Sequence, residues 1–480
     1  MGARLGAILV GRRRAGIRAV AAGMKHVAAL VILFAGFFVL ARGNTDYGPY
    51  GYDEADYMFA ASRGVSANLF DSPTLPLPQF LQMGLHRGSR SEMSEAIRSA
   101  NDMVFYRHWH GPLYIDWLEV TSRFASSEPA MRAWTYVFPV LAGVWIYFAA
   151  GFLGAALFLW SYPVVASTEL APHQLFALCS LATLFLLAKV METGERRFWY
   201  GAVFTTALAF CTLEVAFVVI LTVMVCGHLV RDRLHPDLGL AAKSIGLFVG
   251  TVLVIWPAAW LKLSFVKAYL FMAYLAVFRK GAWGPNITLW DTWWGRFSTS
   301  PVQWIVLAVA AGLMIYQLAP VGNRRAGYHP ALPFALFAVL MIAATFRVNS
   351  QFPRYTLTFF PAVVVITAIL LKEYNRRSLV VGAIAAAAFV TAYLEIVPRR
   401  QAHDPALYAL VNLIRDNHLG DKHLLVPQGA IPQIHYYFPA TTLKGYPDET
   451  AIPNDLKQMG VDAVIYGGNP VRYRLGGVAH

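Results

Sequence analysis

Residues 27–41 read Val-Ala-Ala-Leu-Val-Ile-Leu-Phe-Ala-Gly-Phe-Phe-Val-Leu-Ala, and a short loop leads from there to Tyr52-Asp53-Glu54-Ala55-Asp56-Tyr57. The first stretch is wholly apolar and, with its flanks, approaches the roughly 20 residues that a membrane-crossing helix needs. The second places carboxylates just beyond the end of that helix. Acids at the edge of a span are costly to hold there and are often functional. A carboxylate at that height can take a proton from something that reacts at the membrane surface.

Composition extends the membrane reading to the whole chain. Its 480 residues are 57% hydrophobic and 14% charged, with a mean hydropathy of +0.48. Soluble domains carry about 25% charge, so a polytopic membrane protein is expected. The net charge of +13 fits basic cytoplasmic loops or contact with anionic headgroups and phosphates. It does not suggest nucleic acid, because much of it is distributed among short loops. Cys179, Cys211 and Cys226 all lie in apolar runs and read as small core residues, not as a disulfide framework.

Basic residues orient the chain. Arg4, Arg12, Arg13, Arg14, Arg18 and Lys25 mark residues 1–26 as a cytoplasmic N-terminus, and the first apolar run as a retained span. A long outer loop then covers 42–132. The run from Trp134 to Ala188 is too long for one crossing and ends beside Lys189, so three tight helices are expected. Phe198 to Val230 holds two helices, with an outer turn near Thr212-Leu213-Glu214. Single spans follow at about Ser244–Leu261, Pro301–Pro320, Ala331–Phe346, Leu357–Leu371 and Leu379–Val397. The total is about 11 transmembrane helices over 27–397. Phe265 to Phe278 fits an interfacial helix or a further span.

Two other segments are read as structured. Ser89-Arg90-Ser91-Glu92 has capping-box spacing, and Met93, Ile97, Ala100 and Val104 then share one helical face. Asp71 to Pro78 is proline-rich and extended. Residues 398–480 alternate helix and strand: helix over Pro405–Leu419, strand at His423–Val426, helix at Pro432–Phe438, helix at Ala451–Met459, strand at Asp462–Tyr466. That pattern predicts a small parallel α/β domain on the outer side, acting as a cap or an acceptor-side platform.

This topology puts the unusual polar residues on one side. They are Asp53, Glu54, Asp56, Arg107, His108, His110, Tyr114, Glu169, His173, Glu214, Arg354 and Tyr355. Carboxylates there can serve as bases, and arginine, histidine and lysine can hold a phosphate. Plainer readings stand beside these. Asp53 or Glu54 can cap a helix that starts there, and His108 and His110 can anchor the interface. Glu169 and Glu214 can be buried partners of basic residues, and Arg354 can snorkel to headgroups. Trp283, Trp290, Trp293 and Trp294 fit an interfacial belt. No zinc spacing, phosphate loop or nucleophile elbow is present.

Four stretches together resemble the GT-C superfamily of integral-membrane glycosyltransferases, on the branch of the protein O-mannosyltransferases and aminoarabinose transferases. YDEADYMFAAS (52–62) looks like that branch's first-loop acidic motif. HGPLY (110–114) looks like its His/Lys-Pro-Pro-Leu-Tyr motif, with Gly111 in place of the first proline. STELAPHQLFALCS (167–180) resembles an outer turn that often carries an Arg and an Asp, where Glu169 and His173 stand here. FPRYTLTFFPAVVV (352–365) resembles the family's approach to a late span.

The resemblance implies sugar transfer from a polyprenyl-phosphate donor to an extracytoplasmic acceptor, with inversion at the anomeric carbon. Asp53 is then the expected general base, and Glu54 orients an arginine or binds acceptor. His110, Arg354, Arg107, Lys267 and Arg279 are candidates for the donor phosphate. Asp56, His108, Tyr114, Glu169, His173, Glu214 and Tyr355 are expected to line the substrate pocket. The acceptor is a lipid, a polysaccharide or a protein, and the location is the plasma (inner) membrane. No cofactor is required; a divalent metal is compatible with the resemblance, though the sequence has no dedicated cage. The alternatives are a flippase for lipid-linked saccharides, which should show inverted repeats and midplane polar residues, and a non-catalytic envelope assembly protein.

Overall fold

The computed structural model describes residues 23–64, 110–261, 266, 288–299, 304–305, 308, 311–312, 330–346, 353–374, 378–397, 405–446, 449–467 and 473–477. The expected interfacial helix after Ser89, the extended stretch 71–78, nearly all of Phe265–Phe278 and most of Pro301–Pro320 lie outside these residues. So do Arg107, His108, Lys267 and Arg279. Most of what is described is helical, with one small sheet near the C-terminus. Helices at Gly23–Ala41, His173–Thr193 and Leu238–Ile255 are each long and apolar enough to cross a membrane, and the protein is a membrane protein.

The run from Trp134 onward folds as expected, through a device the hydropathy does not display. Helix Val137–Leu159 is broken at Gly151, whose φ of 85° is left-handed. Only glycine adopts that conformation without strain. A Cβ on Gly143 would lie 2.7 Å from Leu159, although a straight helix would hold these residues roughly 24 Å apart. The element is therefore a helical hairpin that reverses at Gly151. Its second arm continues through Tyr162–Ala166 to the turn 167–172, and His173–Thr193 runs back. Trp160 fastens this arm to the first helix: its indole lies over Gly36, where a Cβ would clash, and donates to the Leu33 carbonyl at 3.0 Å.

Arg196–Phe210 and Phe217–Leu229 form the expected pair, turning through Cys211 to Glu214. Leu332–Thr345 and Ser378–Ile396 match their expected spans to within a residue or two. Two expected spans are corrected. The one placed at Ser244 begins at Leu238, because Asp237 caps it by accepting from the Leu240 amide. The one placed at Leu357 is a short helix Pro353–Leu357 followed by Phe360–Tyr374, so Arg354 sits on a separate turn.

The C-terminal region is an α/β unit, but its sheet is mixed. The strand order is β2 (Thr442–Tyr446), β1 (His423–Pro427), β3 (Ala463–Tyr466), β4 (Arg474–Gly477). β1 pairs in parallel with β2 and β3, and β4 closes the edge antiparallel to β3. β2 and β4 are additions to the sequence reading. The helix expected over Ala451–Met459 is two 3₁₀ turns, Glu449–Ala451 and Leu456–Met459. Pro453 disfavours helical geometry at the residue before it, and Gly460 ends the second turn at a φ of 65°. Helix Ile431–Tyr437 packs this unit against Tyr52–Ser62.

Candidate active site

The site is assembled on a buried ion pair. Glu54 is the third residue of helix Tyr52–Ser62 and reaches back to the Gly51 amide at 3.2 Å. Both of its oxygens meet Arg132: Nε to Oε1 at 2.9 Å, and a terminal nitrogen to Oε2 at 2.7 Å. The Tyr47 hydroxyl donates to Oε1 at 2.7 Å, and the Leu170 amide at 3.1 Å. Burial, and then Glu54 itself, push the Tyr47 hydroxyl far above its ordinary pKa, so it acts as a donor. Arg132 is wholly buried and also donates to the carbonyls of Thr45, Gly48 and Pro49. Its guanidinium stacks 3.7 Å from the centre of the Tyr47 ring. Glu54 thus joins the first loop to the 167–172 turn. Glu54 therefore meets an arginine, and with both oxygens engaged by buried donors it holds a positioning place.

That frame presents Asp53 to Arg354. One terminal nitrogen of Arg354 lies 2.7 Å from Asp53 Oδ2, and the other lies 2.8 Å from Glu169 Oε2. The acid side chains are 27% and 22% exposed and that of Arg354 is 10%, so the cluster opens on the acid side. Burial opposes the Arg354 charge, and Glu169, Tyr355 and Asp53 more than offset it, so the guanidinium stays charged. Burial raises the Glu169 carboxyl pKa, with Arg354 pulling the other way.

His110 is set by a close backbone approach. A Cβ on Gly111 would overlap the Cys211 carbonyl, and the Leu113 amide donates to that same oxygen at 3.1 Å. Glycine at position 111 therefore lets the 110–113 loop lie on the Cys211–Glu214 turn. His110 Nδ1 then falls 2.5 Å from Glu214 Oε2. Tyr57 joins the pieces, with its ring 5.8 Å from His110 and 6.0 Å from Tyr114. His173 packs edge-on to Tyr355 at 5.2 Å, within electrostatic reach of Arg354, His110 and Asp53. Asp56 is buried one turn beyond Asp53. Tyr114 was expected to line a pocket, but it is buried against Tyr57 and Phe138 and backs Tyr57.

Asp53, Glu169, Arg354, His110, Glu214, His173 and Tyr355 thus come together from five separate stretches of chain. Arg132 was missed, although a signal existed: an arginine at the outer end of a span runs against the positive-inside rule. Among the described residues no three His, Cys, Asp or Glu side chains converge to hold a metal ion. Asp53 and Glu169 share the Arg354 cation instead.

The architecture matches known structures over nearly its whole length. No family model and no curated protein sequence matches the chain. Among solved structures, ArnT from Cupriavidus metallidurans bound to undecaprenyl phosphate aligns at a TM-score of 0.59 and 15% identity, covering 92% of this chain and 93% of that one. The Archaeoglobus fulgidus oligosaccharyltransferase in its apo form aligns at 0.60 and 13% identity, covering 92% of this chain and 69% of that one. The archaeal oligosaccharyltransferase AglB from Archaeoglobus fulgidus, in complex with an inhibitory peptide and a dolichol-phosphate, aligns at a TM-score of 0.53 and 12% identity. The fold is the one that ArnT and the archaeal oligosaccharyltransferase share.

Proposed function

We propose that this protein is a membrane glycosyltransferase that moves a sugar from a polyprenyl-phosphate donor to an acceptor hydroxyl, with inversion. The observation that carries the reading is the bridge from Arg354 to Asp53 and Glu169. It sits in a fold whose solved neighbours include proteins bound to undecaprenyl phosphate and to a dolichol-phosphate. A lipid phosphate needs a charged, buried cation, and acceptor activation needs an ionised carboxylate beside it.

The geometry supports the following order of steps. Without substrate, Arg354 occupies one of the Asp53 oxygens. The arriving donor phosphate attracts Arg354, which loosens its hold on Asp53. Asp53 then takes the proton of the acceptor hydroxyl. The acceptor oxygen bonds to the anomeric carbon as the bond from that carbon to the phosphate oxygen breaks on the opposite face. Arg354 and His110, held by Glu214, stabilise the charge that collects on the departing phosphate. Arg107, Lys267 and Arg279 are further candidates for that role, and His108 and Asp56 for the acceptor side.

The proposal also keeps about 11 spans, residues 1–26 in the cytoplasm, and both the site and residues 398–480 outside the plasma membrane. A lipid, a polysaccharide or a protein would serve as acceptor. The test follows labelled sugar from a polyprenyl-phosphate donor to membrane acceptors, using the full chain in liposomes. Arg354→Lys keeps the charge but loses the two-pronged geometry. Transfer should fall by about 100-fold, and unchanged transfer would remove Arg354 from the mechanism.

A further inference from the structure

His173 begins helix His173–Thr193 and is 6% exposed, yet its Nδ1 has no hydrogen-bond partner among the described residues. A buried polar atom left unpaired is costly. Such an atom calls for a partner, whether a water, an ion or a substrate group. Position narrows the choice. The imidazole lies against the Tyr355 ring, and Arg354, His110 and Asp53 are its charged and titratable neighbours. It therefore lies near both the Asp53–Arg354–Glu169 bridge and the His110–Glu214 pair.

We propose that His173 Nδ1 binds a hydroxyl group of the transferred sugar and so helps to determine which sugar the enzyme accepts. This rests on the glycosyltransferase reading above. Arg354 already provides a cation for a phosphate. A neutral imidazole offers one donor and one acceptor, and a hydroxyl can meet either. Tyr355, edge-on to the imidazole, adds an aromatic surface suited to the C–H face of a sugar ring. A site built to pair a substrate hydroxyl discriminates strongly against an analogue lacking it, because its own polar atom is then left bare.

The experiment uses the full chain with a series of polyprenyl-phosphate sugars, each lacking one hydroxyl. In the parent protein, loss of one particular hydroxyl should lower kcat/KM by about 10- to 100-fold. In His173→Phe, which keeps a ring against Tyr355, the complete sugar should fall by a similar factor, and that deoxy sugar should lose little further. His173→Gln restores a donor and an acceptor and should recover part of the discrimination; it also serves if the phenylalanine variant does not fold. If each missing hydroxyl costs the variants as much as it costs the parent protein, the assignment of His173 is wrong. If the parent protein transfers no sugar from any polyprenyl phosphate, the glycosyltransferase reading fails and this proposal falls with it.

Discussion

Asp53 and Glu54 are neighbours in sequence with opposite fates, and burial separates them. Glu54 is 4% exposed and its oxygens are engaged by Arg132, Tyr47 and the backbone. Asp53 is 27% exposed, and its Oδ2 bonds one terminal nitrogen of Arg354. Breaking one partner of a buried pair costs about 3–5 kcal/mol, because a charge is left behind. Arg132→Met should therefore lower the thermal midpoint of the detergent-purified protein sharply, whereas Asp53→Asn should leave it nearly unchanged. Equal melting shifts for the two would contradict this division of labour. Gly111→Ala tests the other half of the site. The added methyl must displace the Cys211 backbone, at a cost of about 1–3 kcal/mol, and pull His110 away from Glu214. Transfer should fall with it, while a Gly111 variant of full stability and activity would remove the close approach as the reason for glycine.

At the scale of elements, helix Tyr52–Ser62 is held from above by the C-terminal unit. The Tyr437 hydroxyl accepts from the Tyr50 amide at 2.7 Å and donates to Glu128 at 3.0 Å. His435 stacks on Phe59 at 5.2 Å. Tyr437→Phe removes both hydrogen bonds and keeps the ring; an expected loss of about 1–2 kcal/mol should appear in hydrogen exchange as faster opening of residues 50–62. Unchanged protection of that segment would show that the latch carries no load. Elements whose packing follows their own periodicity were legible in the sequence, as Leu332–Thr345 and Ser378–Ile396 were. Elements fixed by distant partners were not. β2 contains Lys444 and Gly445, and β4 ends in Gly476-Gly477, so neither has strand-like composition; β4 forms because Gly476 admits the Tyr466 ring. The site divides in the same way. The sidedness of Asp53, Glu169 and Arg354 could be read from flanking charge, but not that one guanidinium joins them, since their positions span some three hundred residues. Asp237 shows a third case, in which a cap extended a helix beyond the reach of its apolar run.

For the whole molecule, buried acids make stability depend on pH. Burial, and then Glu119, raise the Asp116 carboxyl from an ordinary 3.8 to about 7. Between those values the folded protein binds this proton more tightly than the unfolded chain does, so stability falls as pH rises through the window. Melting followed across that range should show a declining midpoint, with a shallower decline in Asp116→Asn; identical slopes would remove Asp116 from the effect. The larger claim is that the hairpin at Gly151, the 167–172 turn and the C-terminal latch together aim one carboxylate at an acceptor while Arg354 takes the donor phosphate. The most direct test is sugar transfer by Asp53→Asn, a change that keeps size and one oxygen for Arg354. With labelled polyprenyl-phosphate sugar and saturating acceptor, transfer should fall by about 10²–10⁴-fold while donor affinity stays within a few-fold of the parent protein. Transfer at the parent rate would contradict the account.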